Sequence, residues 1–401
     1  MKEEASVELA DHGLKQASLY QKFRNIEYSR QFVLVICALL LIVLFAVTAI
    51  VSRLYHKKVQ SLANEWFSRG ESAFGAANPA AAITEYRNAL VYSPNDTTFQ
   101  LHLAQALAAA NHLDEAESYF ANLLAESPGN GEINLQLARI AVRKGQSVEA
   151  MRYYQSAIYG VWESDPLARR WNVRRELSEY LLNIGDVADA QPEIIGLAQE
   201  VPAGDLHRQK IAGESLLRAS LWDRASAEFD SVLKFHPQDQ DAIVGAATAL
   251  FQLGRYSDAL AYFDRLSASR KTQPQISGMM ERSRAIVFAD PWAPDLSAAE
   301  SARRTSVALR QADSHLQDCA HQRGEAVTEV SGISDLQKIY AANTVRQWSE
   351  SNLTRHPDRI DLAMSLVFKM ENAAVPLCGE PASGSDRALR VIEQSRKRQA
   401  Q

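Results

Sequence analysis

The chain has 401 residues, of which 46% are hydrophobic, and a formal net charge of −5. This small acidic excess argues against nonspecific nucleic-acid binding, for which a strongly basic surface is expected. Three cysteines are too few for a disulfide-rich scaffold, and Cys37 lies inside an apolar run. Cys319 and Cys378 are therefore the only pair available for a disulfide.

Residues 1–31 form a polar tail in which acidic and basic side chains balance. Leu19, Phe23 and Ile26 fall on one face of a helix, which is the pattern of a short amphipathic helix. A solvated tail that leads into the next segment is the simpler interpretation of the same residues.

Residues 32–51 form an apolar run, FVLVICALLLIVLFAVTAIV, without a charged residue, proline or glycine. As a helix this run would span about 30 Å, which matches the hydrocarbon core of a bilayer. Arg30 and Arg53 bracket the run, and no small-x-small cleavage site follows it, so a cleaved signal peptide is disfavoured. We predict a single transmembrane helix over residues 32–51.

The orientation of this helix is not decided by charge, because four Lys/Arg residues lie within twenty residues on each side. A polar tail of 31 residues is easier to retain in the cytoplasm than to translocate across the membrane. A lone cysteine pair beyond the membrane also suits an oxidising compartment. We therefore expect the amino terminus in the cytoplasm and the rest of the chain on the far side.

Residues 52–62 form a short basic connector, and from 63 to 274 one pattern of 34 residues recurs. Its copies begin at residues 63, 97, 131, 171, 206 and 240, with six residues inserted before the fourth copy and one before the fifth. Every copy has alanine at its twentieth position, a large apolar residue four positions later and a smaller one three further on. The alanines are Ala82, Ala116, Ala150, Ala190, Ala225 and Ala259, and the large residues are Tyr86, Phe120, Tyr154, Ile194, Phe229 and Phe263.

Each copy contains two apolar-periodic stretches of about a dozen residues, separated by a short polar turn. The alanine allows two helices to approach closely, and the large side chain one turn later fills the space beside it. One such helical hairpin cannot bury its apolar face alone, whereas stacked hairpins can. The pattern therefore predicts an all-α array of six repeats.

This array resembles the tetratricopeptide repeat family, and the resemblance covers roughly half of the chain. It implies a concave groove, lined by the first helix of each repeat, in which a partner protein is held. The family's lining positions give this chain a cationic middle and aromatic ends: Arg139, Arg143, Arg175, Lys210 and Arg218, with Phe67, Phe74 and Phe251.

The five cations predict a site for an acidic segment or a chain terminus of a partner. The alternative is a solvated face with internal ion pairs, such as Lys210 with Glu214 at i, i+4. Phe67 and Glu71 stand where the family's carboxylate clamp has lysine and asparagine. Recognition of a chaperone terminus in that manner is therefore not expected.

Residues 275–401 remain helical in character but lose the repeat, and we expect them to cap the open end of the array. Ser297, with Glu300 three residues later, predicts the start of a long helix to about Gln322. Further helices are predicted near 334–351, 358–373 and 385–398, the last two as a degenerate repeat. The connector 375–385 contains Cys378, so a disulfide with Cys319 would tie it to the long helix.

The sequence has no zinc-protease, phosphate-loop, nucleophile-elbow or C-x-x-C signature. His315, Cys319 and His321 are close in sequence, but on a helix His321 points away from the other two, and a fourth ligand is not evident. We predict no enzyme activity, no metal, no cofactor and no small-molecule substrate.

The anchor and the repeats together resemble bacterial inner-membrane repeat proteins that serve as scaffolds or adaptors for envelope complexes. The resemblance implies protein partners and a periplasmic array. Two alternatives remain: a structural subunit of a large membrane assembly, and an import receptor on an organelle surface. An enzyme with a catalytic carboxyl-terminal half is a further hypothesis, but that half contains no cluster of catalytic residue types.

Overall fold

The computed structural model describes residues 2–322, 348–379 and 384–399. Regular structure within these ranges is helical, apart from one isolated bridge between Asn130 and Val161. The all-α fold class predicted from the sequence is therefore confirmed. The chain divides into two compact units, unit 1 over Met1–Ser164 and unit 2 over Asp165–Gln401.

The first helix, α1, is one continuous element over Lys2–Gly75. It joins the polar tail, the apolar run, the basic connector and the first helix of the first repeat, so the connector is not a loop. From Phe32 onward the helix is long and apolar enough to cross a membrane, with a mean hydropathy of 3.3 in its most apolar window. The large apolar side chains of residues 32–51 are exposed, which makes this segment a candidate membrane span.

Unit 1 contains three helical hairpins, and the first helix of the first hairpin is the end of α1. Polar side chains begin three of the other helices: Asn78 accepts a hydrogen bond from the Ala81 N–H, Asp96 from Phe99 and Asn130 from Ile133. The remaining helices are α2 (Pro79–Tyr92), α3 (Thr97–Ala109), α4 (Leu113–Glu126), α5 (Gly131–Arg143) and α6 (Ser147–Ile158).

Unit 2 begins with three further hairpins. The six residues inserted before the fourth repeat do not form a loop: Asp165 accepts a hydrogen bond from Ala168, and the following helix is 19 residues long. The helices are α7 (Pro166–Ile184), α8 (Val187–Gln199), α9 (Leu206–Arg218), α10 (Trp222–Phe235), α11 (Gln240–Gln252), α12 (Tyr256–Asp264), α13 (Ala268–Lys271) and α14 (Pro274–Ala289).

The alanines and large apolar residues of the repeat form the core. All six alanines have no exposed surface, and none of the six large residues is more than 2% exposed. Small residues on the first helices make room for the rings: a Cβ atom at Gly70 would lie 2.4 Å from the Tyr86 ring, and one at Gly245 would lie 2.3 Å from Phe229. The repeat pattern therefore reflects close packing between a large side chain of the second helix and a small residue of a first helix.

The turn within each hairpin contains one residue with positive φ. Asn111, Gly145, Gly185, Ser220 and Gly254 occupy this place in five repeats, as their residue types suggest. In the first repeat Ala77 has φ 57°, although alanine has no preference for the left-handed region. The stacking of the hairpin, rather than the turn residue, therefore determines this turn.

Four repeats close with proline, at Pro94, Pro128, Pro202 and Pro237, whereas the third closes with Trp162. Its indole N–H donates to the Ala157 carbonyl at 3.0 Å, and its ring covers Gly131, where a Cβ atom would lie 2.4 Å away. The Gly131 N–H also donates to the Val161 carbonyl at 2.9 Å. Trp162 therefore fixes the end of α6 against the beginning of α5, within unit 1.

The carboxyl-terminal part of unit 2 forms its own apolar core from alanine, leucine and methionine side chains of two long helices. Ser297 caps the first of these as predicted, because its hydroxyl accepts from the Glu300 N–H at 3.2 Å. The helix predicted near 334–351 lies largely outside the described residues. The described elements are α15 (Ala298–Gln322), α16 (Glu350–Arg355), a 3-10 turn (Pro357–Arg359), α17 (Ile360–Cys378) and α18 (Gly384–Gln399).

Two details differ from the sequence prediction. Helix α17 continues to Cys378 with Pro376 inside it, so part of the predicted connector 375–385 is helical. Helix α18 buries Ala388 and Ile392 against Ile286 of α14, which in turn packs on α12 of the sixth repeat. These helices therefore extend the apolar core beyond the last repeat.

Candidate protein-binding surface

The predicted binding residues lie on the first helices of the repeats, and we call the surface that these helices present in each unit its first-helix face. In unit 1, Arg139 and Arg143 are one turn apart on α5, and both are exposed. Arg143 donates to the Ala108 carbonyl at 2.6 Å and to Asn111 Oδ1 at 2.8 Å. It therefore stabilises the carboxyl end of α3 in the preceding repeat while its side chain stays accessible to solvent.

In unit 2, Arg175 on α7 contacts Glu179 one turn later, with 2.8 Å between Nη1 and Oε1. Both side chains are partly exposed, at 38% and 44%. Exposed pairs of this kind are individually weak, so a carboxylate of a partner can compete with Glu179.

Lys210 on α9 forms ion pairs within the protein, as the alternative of a solvated face supposed, but its closest partners are aspartates of the next repeat and not Glu214. Its ammonium lies 2.9 Å from Asp239 and 3.8 Å from Asp241, both at the start of the next repeat. The hydrogen bond to Asp239 raises the pKa of Lys210 above its ordinary value. Burial raises the pKa of Asp239, but hydrogen bonds from the Ala242 N–H and Lys210 outweigh this effect and lower it overall.

Arg218, at the end of α9, is exposed and donates to Asn183 Oδ1 at 3.1 Å. The contact reaches back to the preceding repeat, as the contact from Arg143 to Asn111 does in unit 1. Arg218 and Arg143 occupy the same position in their repeats, which is the thirteenth. These two arginines therefore link neighbouring repeats and also present charge on the first-helix face.

The three aromatic residues predicted to contact a partner differ in how accessible their side chains are. Phe67 stacks on Phe99 with 4.7 Å between ring centroids and packs against Tyr86, so it is largely a core residue of the first two repeats. Phe74 is 37% exposed. Phe251 is partly buried beside Tyr256, and the Arg282 guanidinium lies 5.3 Å from its ring centroid.

A polar cluster that sequence reasoning missed lies beside Phe67. Glu71 accepts a short hydrogen bond from the Tyr86 hydroxyl and lies 2.7 Å from His102 Nδ1. Burial first, and then the bond to Glu71, raise the pKa of Tyr86 far above its ordinary value. The available signal was the tyrosine itself, because a hydroxyl at a buried repeat position needs a polar partner.

A second unpredicted cluster surrounds Arg174 in the fourth repeat. The side chain is 10% exposed and lies 3.3 Å from Glu193 and 3.1 Å from Glu200. A Cβ atom at Gly196 would lie 2.3 Å from Arg174 Nη1, so the guanidinium packs directly on this glycine. The cluster joins α7 to α8 and its carboxyl-terminal cap.

Cys319 and Cys378 join α15 to α17 as a disulfide in the structure, with 5.5 Å between the Cα atoms. His315, one turn before Cys319, contacts the buried Glu371 at 3.0 Å through Nδ1, while His321 is exposed. These contacts engage two of the three residues that the sequence offered as metal ligands. Within the part of the chain that the structure describes, no group of three His, Cys, Asp or Glu residues could hold a metal ion.

Comparison with known proteins supports the repeat assignment. Two family models described as tetratricopeptide repeat match the chain, one over residues 67–131 and the other over residues 113–159 and 216–282. No match was found among curated proteins.

Several solved structures are similar at low identity. The C-terminal part of a TPR repeat-containing protein from Cytophaga hutchinsonii is 14% identical with a TM-score of 0.40, covering 81% of this chain and 98% of that one. A tetratricopeptide repeat protein from Parabacteroides merdae is 13% identical with a TM-score of 0.37, covering 61% and 91%. PilW, described as a widely conserved type IV pilus biogenesis factor, is 16% identical with a TM-score of 0.37, covering 54% and 98%.

The matched residues include five of the six predicted repeats in whole or in large part. The fourth repeat has the same buried positions, because Ala190, Ile194 and Leu197 have no exposed surface. The chain therefore carries tetratricopeptide repeats, and its apolar amino-terminal helix is a candidate membrane anchor.

Proposed function

We propose that this protein is a membrane-anchored scaffold, or adaptor, that binds protein partners and assembles or holds them in a membrane or envelope complex. The observation that carries the proposal is α1, which continues from the apolar run into the first repeat without a break. The exposed apolar side chains of the run favour a bilayer environment. Stacked repeats offer extended surfaces for protein partners.

We further propose that the repeats lie on the far side of a bacterial inner membrane, in the periplasm. The close approach of Cys319 and Cys378 supports this side, because disulfides persist in oxidising compartments and are rare in the cytosol. The balanced charges around the span do not oppose it.

Reporter fusions after Gln401 test this orientation. We expect activity from a phosphatase reporter that needs periplasmic oxidation, and none from a reporter that works only in the cytoplasm. Deletion of residues 32–51 is the control, since it should abolish export of the phosphatase. Activity of the cytoplasmic reporter alone on the full chain would show the opposite orientation.

The first-helix face of each unit is proposed to bind acidic segments of a partner. Arg139, Arg143 and Arg218 are exposed, and the weak Arg175–Glu179 pair can open to receive a carboxylate. Lys210 contributes charge while remaining bonded to Asp239. Affinity would come from several such contacts together, and it would decrease as salt rises.

Replacing Arg139, Arg175 and Arg218 together with alanine is expected to weaken partner retention. Exposed charge pairs contribute about 0.2–1 kcal/mol each, so three losses correspond to about a 3- to 100-fold decrease in affinity. The measurement is co-purification from mild detergent over a salt series, with identification of the retained chains.

The matched control replaces Arg87, Arg152 and Arg224, which lie on the second helices α2, α6 and α10. This variant loses the same charge and should retain its partners. Helicity and melting should be similar in both variants, because none of the six side chains belongs to the buried core. Full retention by the first-helix variant at every salt concentration would place binding elsewhere.

The alternatives make different predictions for the same purification. A structural subunit of a large assembly would co-purify with fixed partners at a constant ratio in high salt, because both of its faces would be buried. An organelle import receptor would place the array in the cytosol, which the reporter fusions would reveal.

A further inference from the structure

The direction of α2 determines which edge of unit 1 is nearest the apolar run. Gly70 of α1 lies against Tyr86, and Gln60 lies 3.4 Å from the Ser93 hydroxyl. Lower numbers in α1 therefore pair with higher numbers in α2, so the two helices are antiparallel. The end of α2 and the turn after it lie on the same side as the apolar run.

The continuous helix also determines how far this edge lies from the end of the apolar run. At about 1.5 Å per residue, Arg53 lies about 3 Å beyond the end of the run, Lys58 about 10 Å and Gln60 about 14 Å. The headgroup layer on each side of the hydrocarbon is about 5–8 Å thick. A tilt of about 20°, which is ordinary for a membrane helix, lowers the edge towards the bilayer on one side.

Arg53 lies at the height of the headgroups, whereas Lys58 and the Gln60 edge lie about 2–9 Å above the headgroup layer, within the reach of long side chains. Arg53, Lys57 and Lys58 are exposed on α1, and their long stems can direct the charges towards phosphates. At the end of α2, Val91 is 76% exposed and Tyr92 is 37% exposed, beside the Gln60–Ser93 contact. Val91 is largely uncovered by the array, Tyr92 keeps more than a third of its surface exposed, and tyrosine is favoured at membrane interfaces.

We infer that this edge of the first repeat is a second membrane contact, which binds anionic phospholipid headgroups through Arg53, Lys57 and Lys58 and brings Val91 and Tyr92 against the headgroup surface. The inference rests on the proposed anchor. The edge would hold the first repeat against the bilayer, so the first-helix face of unit 1 would meet partners close to the membrane.

Charge complementarity favours anionic lipid headgroups over an acidic protein as the ligand of this edge. The basic residues lie within the reach of headgroups, where each Lys or Arg near an anionic surface contributes about fivefold in binding. Asp96, the carboxylate of the turn after α2, is engaged as the cap of α3 by the Thr98 and Phe99 N–H groups.

The first test measures depth in the full chain, reconstituted in vesicles of phosphatidylcholine and phosphatidylglycerol. An environment-sensitive fluorophore is placed at Tyr92→Cys or Ala76→Cys in a Cys37→Ser background, and the Cys37→Ser protein alone is the labelling blank. Ala76 lies at the opposite end of the same hairpin. Nitroxides on lipid headgroups should quench the label at 92 strongly and the label at 76 little.

The second test measures the preference for phosphatidylglycerol over phosphatidylcholine, from quenching by nitroxide-labelled forms of each lipid. The variant Arg53→Gln/Lys57→Gln/Lys58→Gln should lose this preference, by up to about fivefold for each residue. The Arg87→Gln/Arg152→Gln/Arg224→Gln variant removes the same charge from the second helices and should keep it.

Extraction of the vesicles at alkaline pH distinguishes a failure of this inference from a failure of the proposed membrane anchor. Protein that resists extraction but shows equal quenching at 92 and 76 would overturn this inference and leave the anchor in place. An unchanged lipid preference in the triple glutamine variant would also overturn it. Protein that is extracted from the vesicles would overturn the anchor, and this inference with it.

Discussion

Replacing Phe229 with alanine is expected to destabilise unit 2 by about 3–5 kcal/mol, because the ring is 1% exposed and its removal leaves a cavity. The ring contacts two helices besides its own: Cβ atoms at Gly213 and Gly245 would lie 2.8 Å and 2.3 Å from it. The change therefore loosens the fifth hairpin internally and also its stacking on the sixth. The measurement is denaturant unfolding of the full chain in detergent, monitored by circular dichroism.

Phe235 on the same helix provides a matched control, since its ring is 69% exposed. Phe235→Ala removes the same atoms from α10 and should change stability by less than about 0.5 kcal/mol. Because each repeat contacts only its neighbours, the transition of Phe229→Ala should also become broader or biphasic. Equal losses of stability in the two variants would show that α10 does not pack through the face that carries Phe229.

The repeat core was predictable because the same packing problem recurs in every copy. A ring such as Tyr86 needs a small neighbour on the first helix, and Gly70 provides it. The sequence contained this second half of the pattern as well: Gly70, Ala104, Ala138, Ser178, Gly213 and Ala247 share one position in their copies. Buried positions of a repeat are visible in sequence because packing leaves few residue types possible.

The first-helix face was less predictable, because its side chains interact with residues far away in sequence. Helical spacing offers Glu214 as an internal partner of Lys210, yet Lys210 bonds to Asp239 in the next repeat, 29 residues later. Phe67 was assigned to the groove by position, but Phe99 and Tyr86 draw it into the core. Such partners depend on how repeats stack, and a position within one repeat does not specify them.

The disulfide between Cys319 and Cys378 is the second change with a large expected effect. The sequence separation is 59 residues, and closing a loop of that length stabilises by up to about 4 kcal/mol in the chain-entropy model. Cys319→Ser with Cys378→Ser should therefore lower the melting temperature of the carboxyl-terminal helices, and reduction of the native chain should reproduce the loss. Cys37→Ser is the matched control and should change nothing, because Cys37 is exposed and free.

Thiol titration of the denatured, non-reduced chain decides whether the bond exists in solution. The chain has three cysteines, so one reactive thiol, that of Cys37, is expected when Cys319 and Cys378 are bonded. The Cys37→Ser variant should then show none. Three reactive thiols in protein purified without reductant would contradict the bond and would remove the main support for a periplasmic array. The buried Cys319 would in that case be an ordinary apolar core residue between α15 and α17.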